Sequence, residues 1–131
     1  MTAAAPTPDA APVLPGYIER RTRGIAGPAA MLLRVWCCWC CSWHTHGLAG
    51  ATPGDVTDRA AHCFAPDSPY DQTGYRIRVA AAPFFTVRST LQQATRNQRA
   101  AIRRGRVSAA VQRLRDQPVP ASSAAAPKQP V

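Results

Sequence analysis

Five cysteines and all three histidines of this 131-residue chain fall within 27 consecutive positions, Cys37 to Cys63, and that density constrains the fold more than any other feature. The stretch runs Trp36-Cys37-Cys38-Trp39-Cys40-Cys41-Ser42-Trp43-His44-Thr45-His46, and His62-Cys63 follows after 15 residues from Gly47 to Ala61. Zinc takes four thiolate or imidazole donors in a tetrahedron. A C-x2-C turn supplies two of them from one knuckle, and a second short segment supplies the rest. The candidate ligands are therefore Cys37, Cys40, His44, His46, His62 and Cys63. Two frames overlap, Cys37-x2-Cys40 and Cys38-x2-Cys41, and only one can form a knuckle at a time. We prefer the first, completed by Cys63 and by His44 or His46, with the spare histidine as a hydrogen-bonding neighbour or an exposed contact. The second frame opens like a retroviral-type knuckle, but the last cysteine of that pattern would stand at position 51, which is Ala51.

Other uses of the thiols fit less well. An odd number of cysteines and an N-terminus without a charged and apolar leader argue against a disulfide framework and point to a cytoplasmic address. His62-Cys63 lacks the surroundings of a catalytic nucleophile, so no enzyme is expected. Lipidation of Cys37-Cys38 would need a membrane setting, yet no run of 18 apolar residues is free of charge, and no membrane association is expected. Leu, Ile, Val and Phe number only 22 of 131, too few for a TIM barrel or a doubly wound sheet. Between Met31 and Val87 there are 17 large apolar side chains. So sparse a core predicts a segment that is unfolded without its metal.

The expected fold class is small α+β: a zinc-stapled knuckle with a short antiparallel β pairing, followed by a basic α-helical segment, with disordered termini. Residues 1–24 read as a disordered Ala/Pro-rich arm with a basic lead-in of Arg20, Arg21 and Arg23; 31–87 as the zinc-binding module; 88–117 as the Arg-rich helical segment; and 118–131 as a disordered tail. Met31–Trp36 and Tyr75–Val79 read as strands that pair with each other. Asp55–Asp58 reads as a capped helical turn, and Ser89-Thr90-Leu91-Gln92 as the capping box that starts a helix, with a break near Gly105.

Residues 1–87 carry a net charge of +1 and residues 88–131 a net charge of +8. On a helix, Arg88, Arg96, Arg99, Arg103 and Arg106 fall on one stripe opposite Leu91 and Ile102. Such a stripe suits phosphate backbones, so the expected partner is DNA or RNA, contacted by Arg96, Arg99, Arg103 and Arg106. An acidic protein partner docking on Leu91 and Ile102 is the alternative, an interaction adaptor on the same zinc fold. Trp36, Trp39 and Trp43 can serve either as the core around a zinc site or as stacking surfaces for bases.

The motif resembles a group of small uncharacterised actinobacterial and actinophage proteins marked by C-P-x-C-G-x-x-H-x-H-G, a variable loop, R-x-A-H-C and a G-Y strand. Here the matching residues are Cys37, Cys40, His44, His46 and Gly47, then Arg59, Ala61, His62 and Cys63, then Gly74 and Tyr75. The chain departs from the pattern at Cys38, where Pro is usual, and at Cys41, where Gly is usual. The resemblance spans roughly residues 35–79 and implies a zinc-ribbon-like module, of phage or mobile-element origin, without implying an activity.

Overall fold

The computed structural model describes residues 11–22 and 27–120. The expectations for residues 1–10 and 121–131, and for Arg23, lie outside the described residues. The elements in chain order are β1 (Val13–Arg21), β2 (Ala30–Cys37), β3 (Ser42–Gly47), β4 (Val56–Arg59), a one-turn helix α1 (Tyr70–Thr73), β5 (Tyr75–Pro83), a 3-10 turn (Phe84–Thr86), α2 (Arg96–Arg103) and α3 (Ala109–Arg115). The fold is small α+β, with a single mixed sheet in the order β3-β2-β1-β5-β4.

The expected pairing of Met31–Trp36 with Tyr75–Val79 is corrected. Both strands form, but β1 lies between them, antiparallel to β2 and parallel to β5. All of β1 falls in residues 1–24, expected from their Ala/Pro-rich and basic composition to be disordered. Pro15 is accommodated because the ladder with β2 begins only at Gly16, so one side of Pro15 asks for no backbone hydrogen bond. Gly16 is required by closeness: a Cβ there would stand 2.3 Å from Ile77 Cγ2.

Residues 56–59 are strand rather than helical turn. The Asp55 carboxylate accepts from the Thr52 backbone N–H at 2.9 Å, closing a turn that leads into β4, and β4 pairs antiparallel with β5. The helix expected from Ser89 begins instead at Arg96. Leu91 is drawn into the core and the Ala94 N–H donates to the Cys41 carbonyl at 2.9 Å, so tertiary contacts override the local signal. The capping box lies further along the chain, with the Thr95 side chain accepting from Gln98 N–H and Gln98 reaching back to Thr95 N–H. The break near Gly105 is present: Gly105 has φ +77°, and the Gly105 and Arg106 amides donate to Ile102 and Ala101, the paired bonds of a glycine-terminated helix.

Alternation along the strands sorts the core onto two faces. Leu33, Val35, Tyr75, Ile77 and Val79 fill the concave face. On the other, Trp43 contacts Tyr17, Trp36 and Phe84 edge-on, with ring centroids 5.0–6.0 Å apart. A third cluster joins Cys37, Cys40 and Cys41 to Ile102, Val111 and Leu114, so the knuckle is itself the surface on which α2 and α3 pack. The sheet is curled: β3 and β5 stand three places apart, about 14 Å in a flat sheet, yet His46 Nε2 and the Tyr75 hydroxyl share a hydrogen bond of 2.5 Å.

Candidate metal centre

The β2–β3 hairpin carries the knuckle at its tip. Cys37 ends β2, and its cross-strand partner Ser42 opens β3. Residues directly opposed across the ladder share a face, so Ser42, and with it His44 two positions on, lies on the same face as Cys37. The turn between them needs one residue with positive φ, and this is Cys41 at +54°. Cys41 bears the cost of that conformation because its buried side chain bridges the knuckle to α3, its thiol donating to the Cys38 carbonyl at 3.5 Å and, more weakly, to Val111 O. Cys63 arrives from the loop between β4 and α1.

Cys37, Cys40, His44 and Cys63 converge with every donor atom within 4.8 Å of the others, and this cluster can hold a metal ion. The measured edges decide how well. A zinc tetrahedron with bonds of about 2.3 Å to sulfur and about 2.0 Å to imidazole nitrogen has S–S edges of about 3.8 Å and S–N edges of about 3.6 Å. Cys37 Sγ and Cys63 Sγ lie 3.7 Å apart, and Cys63 Sγ lies 3.6 Å from His44 Nε2. A disulfide would bring two sulfurs to about 2.05 Å, and all five cysteines are free thiols.

Neighbouring groups suit a site with three sulfur ligands. The Cys40 backbone N–H donates to Cys37 Sγ at 3.4 Å, and the Ser68 hydroxyl donates to Cys63 Sγ at 3.2 Å. The Ala65 N–H serves Cys40. Among the protein groups alone, the Cys40 thiol is held far below its ordinary range by donation from Cys37 and then Cys63. Cys37 is correspondingly raised, by its bonds to Cys40 and to Cys63 and by burial. Cys63 is favoured as thiolate by Cys37, but its bond to Cys40 and its burial outweigh this and push it up to about 11.

The other candidates stand apart from the cluster. His46 is 8% exposed and faces Tyr75; burial first, then electrostatic repulsion from the neighbouring His44, Arg59 and His62 side chains, lowers its pKa to about 4, so it is neutral at pH 7. His62 is exposed, with its ring 6.3 Å from that of His46. Cys38 and Cys41 belong to no ligand group, and burial raises both thiols. Trp36 and Trp43 are core, and Trp39 is half-buried beneath the Arg115 guanidinium, 5.3 Å from its carbon.

Residues that the sequence did not single out hold the Cys63 loop. Arg115 makes two hydrogen bonds to Asp67, at 2.6 and 3.0 Å, and holds that carboxyl below the usual carboxylate range. The Arg115 side chain is 8% exposed and the Asp67 side chain 43% exposed, so the clamp is desolvated on its guanidinium side and meets solvent on its carboxylate side. Arg103 lies over the Phe64 ring at 4.7 Å. Arg96 and Arg106 are exposed, whereas Arg99 is half-buried and donates to the Ala94 carbonyl at 2.5 Å. Sequence spacing carries no signal for the Arg115–Asp67 pair, whose members stand 48 residues apart.

Fold and site together define a small α+β protein with a three-cysteine, one-histidine cluster competent to bind a metal ion. Comparison with known proteins adds no relative: no family model, no curated protein and no solved structure gives a significant match. Among the described residues, no helix is long and apolar enough to cross a membrane.

Proposed function

We propose that the chain is a non-enzymatic, zinc-stapled module that binds nucleic acid through its arginine-rich C-terminal segment. The observation that carries the zinc half is the Cys37, Cys40, His44 and Cys63 cluster, with two of its edges at the lengths of a zinc tetrahedron. Four protein donors close the coordination sphere, which is the pattern of structural zinc; catalytic zinc keeps one position for water or substrate. The nucleic-acid half is supported by the charge of +8 on residues 88–131 and by the exposure of Arg96, Arg103 and Arg106. Arg99 contributes less than its position on the stripe suggests, since its guanidinium already serves Ala94. The resemblance noted above supports an origin in an actinobacterial phage or mobile element.

Metal content by native mass spectrometry tests the first half. One zinc per chain is expected, lost in Cys37→Ser, Cys40→Ser and Cys63→Ser and kept in Cys38→Ser; a metal-free chain purified under reducing conditions with zinc supplied would overturn it. Binding to labelled oligonucleotides across a salt series tests the second. Affinity falls with log slope of about 0.7 to 0.9 per phosphate contacted. A flat salt response, or capture of protein partners that persists after nuclease treatment with no oligonucleotide binding, would replace nucleic-acid binding with the adaptor role.

A further inference from the structure

The 3-10 turn after β5 presents an aromatic ring that the core does not use. Phe84 points inward, 5% exposed, met edge-on by Trp43 and covered by the Arg34 guanidinium at 4.5 Å. Phe85, the next residue, is 62% exposed, the most exposed large apolar side chain among the described residues. The turn fixes it there. Val87 N–H and Arg88 N–H both donate to the Phe84 carbonyl at 2.9 Å, and the Thr86 hydroxyl donates to Pro83 O at 2.7 Å, so the ring is held out on an ordered base. Phe85 lines a groove of about 320 Å³ together with Ile18, Pro83 and Phe84 and the charged residues Glu19, Arg20 and Arg88.

Charge decides what such a groove takes. Glu19 is already neutralised, accepting from Arg34 and Arg21 at 2.8 Å each. Arg20 and Arg88 are exposed and form no ion pair among the described residues. Arg20 and Arg88 therefore line the groove beside the outward-facing ring as its unpaired charges, while Arg21 and Arg34 are taken up by Glu19. An anionic chain with flat aromatic units along it meets both demands at once, because bases stack on aromatic rings while phosphates meet arginines. A duplex buries its base faces and offers the ring nothing.

We propose that this groove binds single-stranded nucleic acid, one base stacking on Phe85 and the flanking phosphates contacting Arg20 and Arg88. The proposal rests on the nucleic-acid reading above and assigns it a second face, on the sheet rather than on α2. The test is fluorescence anisotropy of the full-length, zinc-loaded chain with labelled dT12, U12 and a 12-base-pair duplex, each at 50 and 200 mM salt. One or both single strands bind more tightly than the duplex, and the comparison of dT12 with U12 distinguishes DNA from RNA. Phe85→Ala weakens single-strand binding by about 5- to 150-fold, the range of one lost base–aromatic stack, with an unchanged melting temperature. Phe85→Trp keeps binding and reports it, since its added emission is quenched by a stacked base. Arg20→Gln with Arg88→Gln lowers the salt slope by about 1.4.

If Phe85→Ala binds within twofold of the parent while glutamine at 96, 103 and 106 weakens binding, this face is wrong and the nucleic-acid reading stands. If the parent binds none of the three probes, both fail. Binding of a poly-glutamate peptide or of phosphatidylserine vesicles that is lost in Phe85→Ala, without oligonucleotide binding, overturns the proposal in favour of that partner.

Discussion

Zinc resident in the proposed site would make the stability of this protein a function of free zinc. The ion would bind four donors that exist as a group only in the folded chain: Cys37 and Cys40 from the hairpin tip, His44 from β3 and Cys63 from the distant loop. A ligand bound by the native state alone stabilises it by RT ln(1 + [L]/Kd), so each tenfold rise in free zinc above Kd adds about 1.4 kcal/mol. For a domain of about 100 residues, 1 kcal/mol moves the melting temperature by roughly 4 to 8 °C. Melting followed by far-UV dichroism in zinc buffers spanning three decades should therefore climb by about 5 to 11 °C per decade. Structural zinc contributes about 10 to 16 kcal/mol in small modules, at or above the whole stability of a typical domain, about 5 to 15 kcal/mol. Complete chelation should thus leave no cooperative transition. The loss should include α2 and α3, because the cluster they pack against is built from Cys37, Cys40 and Cys41. Cys63→Ser should melt at a temperature nearly independent of zinc, whereas Cys38→Ser should retain the parent slope. A parent melting temperature that stays flat across the three decades would refute the reasoning outright.

The remaining predictions concern groups around the site. Ser68→Ala removes the hydroxyl that donates to Cys63 Sγ at 3.2 Å and should weaken zinc affinity by about 10- to 100-fold in competition with a chromogenic chelator; an unchanged affinity would mean the hydroxyl does not tune the ligand. Tyr75→Phe leaves buried His46 Nε2 without its partner and should cost about 1 to 3 kcal/mol by urea denaturation. In a double-mutant cycle with His46→Leu the two losses should be far from additive, and simple additivity would contradict the pair. Gly16→Ala drives a methyl group against Ile77 Cγ2 and should destabilise by about 1 to 3 kcal/mol, and less than additively when combined with Ile77→Ala in a double-mutant cycle; a neutral Gly16→Ala would show that the sheet yields there.

The candidate site was more legible than the sheet because it depends on chemistry that spacing records. A pair of thiols two residues apart in a turn, a histidine on the following strand and a remote cysteine are visible as letters, and the four residues the fold assembles all lie among the six named from sequence. What chose His44 over His46 was not visible. Both point to one face of β3, and the choice falls to Tyr75, three places across the curled sheet, which takes His46 as its hydrogen-bond partner. The fold class was likewise readable from the alternation of Tyr75–Val79 and from the break at Gly105, whereas the position of β1 was not. Its Pro15 and Gly16 carry the local signature of a loop, and only the absence of a β2 ladder at Pro15 and the closeness of Ile77 at Gly16 make them strand residues.

The arginine stripe shows the same limit from the other side. Helical periodicity placed Arg96, Arg99, Arg103 and Arg106 together, yet Arg99 serves the Ala94 carbonyl and Arg103 covers Phe64 on the Cys63 loop. Arg115, off the stripe, is the most deeply committed of them, clamped to Asp67 and covering Trp39 of the knuckle. Basic residues of the C-terminal segment thus lean on both sides of the cluster, the knuckle and the loop that brings Cys63. If zinc occupies the cluster, its loss would release both halves of that contact together. The arrangement that presents Arg96 and Arg106 to a partner would then hold only while the metal is bound.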